Sequence, residues 1–487
     1  MIDVSCLNRG GWWREGRCRG SHFGHVTSTA QPIASAMADV PDATHADSAA
    51  PPLAPAFFRH HHAPEQVAHD AWLTTRQPPA PTAAATAAVD GLTAAAAVAA
   101  AAVTIGDSTA PDGAMSTSMS TAAFHEESRE PVLEPGLPIV DPHHHLWDKH
   151  PSRAFVGRYM LEELSADMCG EGDNNGYGGD LVSNGGGAGV PSHNIVATCY
   201  MQSNSAGWVR AGGPPELQPV GEVEFAMGVA AMAESGRYCG HVRTCAGIIG
   251  TANLLLGEAV DPVLAASEAA ARNYRGVRVH GGKAEDIPFD DPQFLAGLRV
   301  MERRGLVFDC NGPETHPLDF AGVLGGLCRV AQACPALTIV LDHCGGAIGP
   351  RCFDSAPERR AEWERGISAL AACPNVFCKV GGLTMEINGF PIGKNDRGGR
   401  GPVSSLELLP LVAPLYRFVI EMFGPERCMF ESNFPVDKWG VSYTVLWNTF
   451  KRLCGAEAMG LSEADKRHLF SGTAMRVYRL QLDDLLP

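Results

Sequence analysis

From about Pro138 onward, short β-branched and apolar runs alternate with longer stretches of helical periodicity. Eight runs read as strands: 138-PIVDPHHH-145, 194-NIVATCYM-201, 246-AGIIG-250, 275-RGVRVH-280, 306-LVFDCN-311, 337-LTIVLDH-343, 375-NVFCKVG-381 and 427-RCMFESN-433. Between them lie helix signals. Asp291-Pro292 opens a pattern that runs to about Arg303, with proline in the first turn. Ser355 with Glu358, and Ser462 with Asp465, have capping-box spacing. Strand–helix alternation repeated eight times predicts an α/β fold, a parallel (β/α)8 TIM barrel with insertions.

Upstream the pattern vanishes. Tracts such as 82-TAAATAAVDGLTAAAAVAAAAV-103 have no strand period and little apolar bulk to bury. Residues 1–134 are therefore expected to be a low-complexity extension that does not pack, and 135–487 the barrel. Arg9, Arg14, Arg17 and Arg19 near the start give a faint transit-peptide signature, weakened by Asp3 and Glu15. A cytoplasmic protein with an inert extension is the plainer expectation.

Composition removes several function classes. The formal charge of the 487-residue chain is −16, against a nucleic-acid binder with a broadly basic face. No apolar run reaches the ~20 residues a spanning helix needs. The 15 cysteines show no paired CxxC spacing and are expected to be scattered reduced thiols. No GxSxG elbow, P-loop or dinucleotide fingerprint is present.

In such barrels chemistry sits where strands end and lead into helices. The predicted strand ends carry His143 and His145, Arg278 and His280, Asp309 and Asn311, His343, Lys379, and Glu431 and Asn433. Members of each pair are two apart, so each pair is expected to project from one strand face. A lone polar residue at such a place is most simply a satisfied structural group. Six strands ending this way point to a site, because an unpaired buried ion is costly. Cys344, adjacent to His343, should face the other way as a packed thiol. The Gly/Asn-rich insert 170–190 precedes the second strand and belongs to the face away from chemistry. The segment 384–402 follows the seventh strand and should lie over the site, with Lys394, Arg397 and Arg400 able to attract a carboxylate or merely to form a solvated basic loop. Gln202, Asn204 and Trp208, after the second strand, belong to the same face.

The string 140-VDPHHHLWD-148 resembles the first-strand signature of the amidohydrolase-related (amidohydrolase 2) family of TIM-barrel hydrolases. The segments 275-RGVR-278, 340-VLDHCGG-346, 378-CKVGGL-383 and 424-GPERCMFESNFPVD-437 follow in that family's order, so the likeness spans about residues 138 to 480. The branch it most resembles contains lactone hydrolases, and the wider family includes metal-dependent decarboxylases. The resemblance implies that His143 and His145 hold a divalent metal, zinc or manganese, in members that use one; other members of the branch work without metal. It implies that His343 orients water or polarises substrate, and that Arg278 meets a carboxylate or carbonyl oxygen. The last strand departs from the pattern: where the family commonly shows glycine-serine-aspartate, this chain has Glu431-Ser432-Asn433. Neutral asparagine cannot serve as a general base. Glu431 is the expected replacement, with Asp437 in the following loop a less constrained one.

The expected function is hydrolysis of a small, anionic lactone or ester by activated water. His343, Glu431, Asn433 and Arg278 are the catalytic candidates, and Lys379, His280, Asp309 and Asn311 the substrate-binding ones. A metal-dependent decarboxylase of the same family is the second expectation. A barrel that has lost catalysis and acts as a binding protein is the third, motivated by Asn433. The partner is a small-molecule carboxylate or lactone, with no nucleic acid and no membrane; a homo-oligomer is left open.

Overall fold

The computed structural model describes residues 130–148, 157–169, 192–203, 208–279, 287–310, 320–349, 357–385, 388–393 and 401–482. The extension before residue 130, the insert 170–190, and His280, Asn311, Asn204, Lys394, Arg397 and Arg400 lie outside the described residues.

All eight expected runs form strands: β1 (Ile139–His144), β2 (Ile195–Met201), β3 (Arg243–Gly250), β4 (Tyr274–Val279), β5 (Val307–Cys310), β6 (Thr338–Leu341), β7 (Val376–Val380) and β8 (Cys428–Phe430). They pair in parallel and in chain order. The ring is closed by a parallel bridge between His144 and Phe434, where His145 N donates to Phe434 O at 2.8 Å. This is the (β/α)8 barrel the alternation predicts.

The helices follow in turn: α1 (Leu161–Cys169), α2 (Val220–Ala233), α3 (Asp261–Ala270), α4 (Pro292–Arg304), α5 (Phe320–Ala333), α6 (Pro357–Ala371), α7 (Ser405–Phe423), α8 (Tyr443–Cys454), α9 (Glu463–Arg467) and α10 (Thr473–Tyr478). The start of α4 follows its sequence signal. Asp291 accepts from Gln293 N at 2.7 Å, Pro292 fills the first position, and Gly305 at φ 65° ends the helix. Ser462 and Asp465 form the expected capping box of α9, whereas Ser355 lies outside the described residues.

Strand alternation sorts two apolar layers. Ile139, Phe308, Ile339 and Val376 pack outward against the helices. Val140, Ala197, Met201, Val307, Val340 and Met429 fill the barrel, and Val477, Tyr478 and Leu480 from the C-terminal end close its floor. Among the described residues no helix is long and apolar enough to cross a membrane.

One expectation is corrected. Cys169 at the end of α1 is disulfide-bonded to Cys239 ahead of β3, at a sequence separation of 70. The two meet only through the fold, so local spacing gave no sign of the pairing. The other cysteines among the described residues form no disulfide, and Cys344 is buried as expected.

Candidate active site

Three successive histidines end β1, and alternation divides them. His144 faces the helix layer, where its Nε2 meets Thr198 Oγ1 at 2.9 Å; burial pushes its pKa down to about 3, so it is a neutral structural group. His143 and His145 face the barrel mouth with their Nε2 atoms 3.1 Å apart. His145 Nδ1 lies 3.0 Å from the Met201 carbonyl, which can only accept, so its proton sits there and Nε2 carries the lone pair. Burial foremost, then nearby cations, holds both imidazoles well below the ordinary histidine range.

Glu431 joins two of the strand ends. Its Oε1 accepts from His343 Nδ1 at 2.7 Å and from His343 N at 3.1 Å, while Oε2 lies 2.9 Å from His143 Nδ1. All three residues are fully buried. The approach depends on Gly381 and Gly382, just beyond β7. A Cβ on Gly381 would collide with Glu431, and one on Gly382, whose φ is +65°, would collide with the His343 ring.

Below this layer runs a chain of buried charge. Lys379 Nζ donates to Asp309 Oδ1 at 2.8 Å and lies 2.9 Å from Asp342 Oδ1, whose Oδ2 is 3.0 Å from Arg278 Nε. Tyr478, rising from the barrel floor, donates to Asp309 Oδ1 at 2.7 Å. Burial opposes the charge on Lys379, but Asp309, Asp342 and Glu431 together outweigh it and push its pKa up. Asp309 is pushed up to about 6 by burial, with Lys379 opposing. Lys379 and Asp309, expected to bind substrate, are thus fully buried and engaged with each other.

Glu431 and Asn433 both lie beyond the end of the last strand. β8 ends at Phe430, and Asn433 has a left-handed φ of 53°, so the two-residue alternation no longer applies. Asn433 N donates to His143 O at 2.9 Å, and its amide lies beside Asp437. Ser432 between them latches β8 to β1 by donating to Asp141 Oδ2 at 2.6 Å. Asp437 is no loosely held loop residue: it is fully buried near His343, and burial pushes its pKa up to about 7.

Asp342 was overlooked because strand alternation lets only one of two neighbours face the site. Both do so here, since β6 ends at Leu341 and His343 turns with φ 52°. The spacing of Asp342 two residues after the inward Val340 was the available signal. Glu222 had none. It lies on α2, reads as an ordinary helical surface residue, and is buried, accepting from Tyr200 OH at 2.9 Å and from Ser203 N. It fixes the chain leaving β2, where Gln202 and Ser203 are also buried, while Trp208 stacks on Phe225.

Burial pushes the Glu222 pKa up to about 7, with Ser203 N and Tyr200 opposing. A folded pKa above the unfolded one favours folding at low pH, and this stability is lost as pH rises from about 4.5 to about 7. Glu222→Gln keeps both hydrogen bonds and removes the titration. Urea denaturation at pH 5 and pH 8 should show the stability drop between them shrinking by on the order of 3 kcal/mol in the variant. An unchanged drop would place the Glu222 pKa in the ordinary range.

The amidohydrolase family model matches residues 140–480, and the chain belongs to that family. It is an enzyme family with this barrel. A protein designated y4mH from Sinorhizobium fredii is 26% identical over 371 residues, covering 71% of this chain and 99% of that one. The L-fucono-1,5-lactonase of Burkholderia ambifaria is 29% identical over 238 residues, covering 48% of this chain and 71% of that one. A solved amidohydrolase structure from Burkholderia multivorans, with bound HEPES, superposes with a TM-score of 0.50 at 23% identity, covering 70% of this chain and 99% of that one.

A divalent metal fits the donors present. His143, Asp342 and His343 offer ligand atoms within 4.8 Å of one another. The Lys379 ammonium, 3.3 Å from His143 Nδ1, stands beside that group, whereas the Nε2 pair of His143 and His145 points away from it. One proton decides between two states of this pair. With its proton on Nε2, His143 donates to His145 and accepts from Lys379, a complete hydrogen-bonded chain without metal. With its proton on Nδ1, toward Glu431, both Nε2 lone pairs face one another as a cation requires.

Proposed function

We propose that this chain hydrolyses the ester bond of a small, neutral, hydroxylated lactone. The observation that carries the reading is Glu431 held between His143 and His343 at the C-terminal mouth of the barrel. The contact from Glu431 fixes the His343 proton on Nδ1 and leaves the lone pair on Nε2, the arrangement of an oriented general base. His343 Nε2 takes a proton from water, and the resulting hydroxide attacks the lactone carbonyl carbon. The oxyanion develops beside the Arg278 guanidinium. As the tetrahedral centre collapses, the ring C–O bond breaks and the imidazolium returns its proton to the leaving alkoxide, giving the hydroxy acid. Glu431 stabilises the imidazolium between the two steps. A divalent metal such as zinc or manganese, if held by the facing Nε2 atoms of His143 and His145, would add polarisation of the carbonyl.

Charge distinguishes this substrate from the anionic one expected at first. Among the described residues the buried cations at the site, Lys379 and Arg278, are already matched by Asp309 and Asp342, with Glu431 and Asp437 beside them. A carboxylate would meet no net positive field from the described residues. A neutral sugar lactone avoids that cost, in keeping with the lactonase name of the Burkholderia ambifaria relative.

Purified protein, assayed for acid release from neutral five- and six-membered sugar lactones, should turn over at least one of them. His343→Ala should lower kcat by on the order of 10³-fold. No turnover of any lactone, with carbon dioxide released from an aromatic acid instead, would replace the reading with a decarboxylase. Elemental analysis of the same sample reads the His143 proton: one zinc or manganese per chain that is lost in His145→Ala assigns it to Nδ1, and a metal-free active protein assigns it to Nε2.

A further inference from the structure

On the far end of the barrel from this site, two free thiols face each other. Cys328 on α5 and Cys373, in the turn between α6 and β7, have their Sγ atoms 3.6 Å apart. Cys328 is partly exposed, whereas the other free cysteines among the described residues are all buried. The Ala369 carbonyl lies 3.9 Å from Cys328 Sγ and 3.7 Å from Cys373 Sγ, and Gln332 Nε2 is 3.6 Å from Cys328 Sγ. No part of this pair touches the proposed catalytic groups.

We propose that Cys328 and Cys373 form an oxidisable dithiol, which a hydroperoxide closes to a disulfide tying α5 to the turn that launches β7. The accessible Cys328 thiolate attacks the peroxide oxygen and breaks the O–O bond, giving a sulfenic acid and one water. The Cys373 thiol then attacks the sulfenic sulfur. The S–S bond forms, the S–O bond breaks, and hydroxide leaves to become a second water with the Cys373 proton. In sum two thiols are oxidised to one disulfide and one hydrogen peroxide is reduced to two waters. Burial foremost, and then Cys328, pushes the Cys373 thiol up to about 11, which makes it a poor first attacker. Proximity compensates in the second step, because the sulfurs need only close from 3.6 Å to about 2.05 Å.

The turn is well placed to receive the cross-link. Arg427, just before β8, donates to Ala371 O at 2.8 Å and to Cys373 O at 3.1 Å. The backbone that would carry the disulfide is therefore held already, and a loop of 45 residues between the two cysteines would be closed by the bond. The effect falls on stability at the barrel floor and is independent of the lactonase reading.

Treating the full chain with hydrogen peroxide, alkylating residual thiols and mapping peptides should show the Cys328–Cys373 cross-link before any other thiol among the described residues is lost. Oxidised protein should melt about 5 °C above reduced protein. Cys328→Ser, at the more exposed position, should abolish both the cross-link and the shift. In Cys373→Ser, Cys328 should accumulate as sulfenic and then sulfinic acid. The inference fails if wild-type Cys328 reaches sulfinic acid while Cys373 remains alkylatable. It fails equally if the cross-link forms only in urea-unfolded chain.

Discussion

Glu431→Gln should lower lactone turnover by on the order of 10³-fold while leaving the barrel folded. The carboxylate has two tasks that an amide cannot share. Its Oε1 takes both the Nδ1 proton and the backbone amide of His343, and its Oε2 faces His143 Nδ1. Glutamine keeps one oxygen acceptor for His343 but turns an NH2 group toward His143. It also removes the negative charge that stabilises the His343 imidazolium during proton transfer. The loss should therefore appear in kcat with KM little changed, since Glu431 is fully buried and its contacts are with His343 and His143. Steady-state kinetics alongside circular dichroism would check it. Full kcat in a folded Glu431→Gln variant would mean that His343 is not the base, and attention would pass to Asp437.

The strands were legible because each is a short apolar run whose alternate positions pack in opposite directions, and that period survives every later influence. The same rule gave His143 and His145 correctly, as both leave β1 on one face. It does not reach Glu431 and Asn433, or Asp342 and His343, for one reason: β6 and β8 end a residue before the chemistry begins. Positive φ at His343 and Asn433 then sets side-chain direction, and no local pattern in a non-glycine residue announces it. Glu222 was illegible for a different cause. Its burial is created by Tyr200 and Ser203 from another element, and nothing along α2 marks it. The double burden on Asp309, between Lys379 and Tyr478, joins residues 169 positions apart, which only the closed barrel brings together.

Removal of the Lys379 charge tests that buried chain directly. Lys379→Met fits the apolar stem into nearly the same volume but leaves Asp309 without its cation and Asp342 with Arg278 alone. Breaking a buried pair by deleting one partner typically costs about 3–5 kcal/mol. The deficit should depend on pH in a definite sense. Asp309 already titrates at about 6, because burial raises it and Lys379 holds it down. Without Lys379 its folded pKa rises further above the unfolded value, so the folded state binds the proton more tightly. Stability then falls as pH climbs from about 3.8 to the new, higher pKa, and the variant loses more over that interval than the parent. Urea denaturation should therefore find Lys379→Met closer to wild type at pH 5 than at pH 8. Adding Asp309→Asn should recover part of the pH 8 deficit, since the amide accepts from Tyr478 without carrying a charge. A deficit equal at both pH values and untouched by the second substitution would show that Lys379 contributes packing alone, and that Asp309 is neutral in the parent protein.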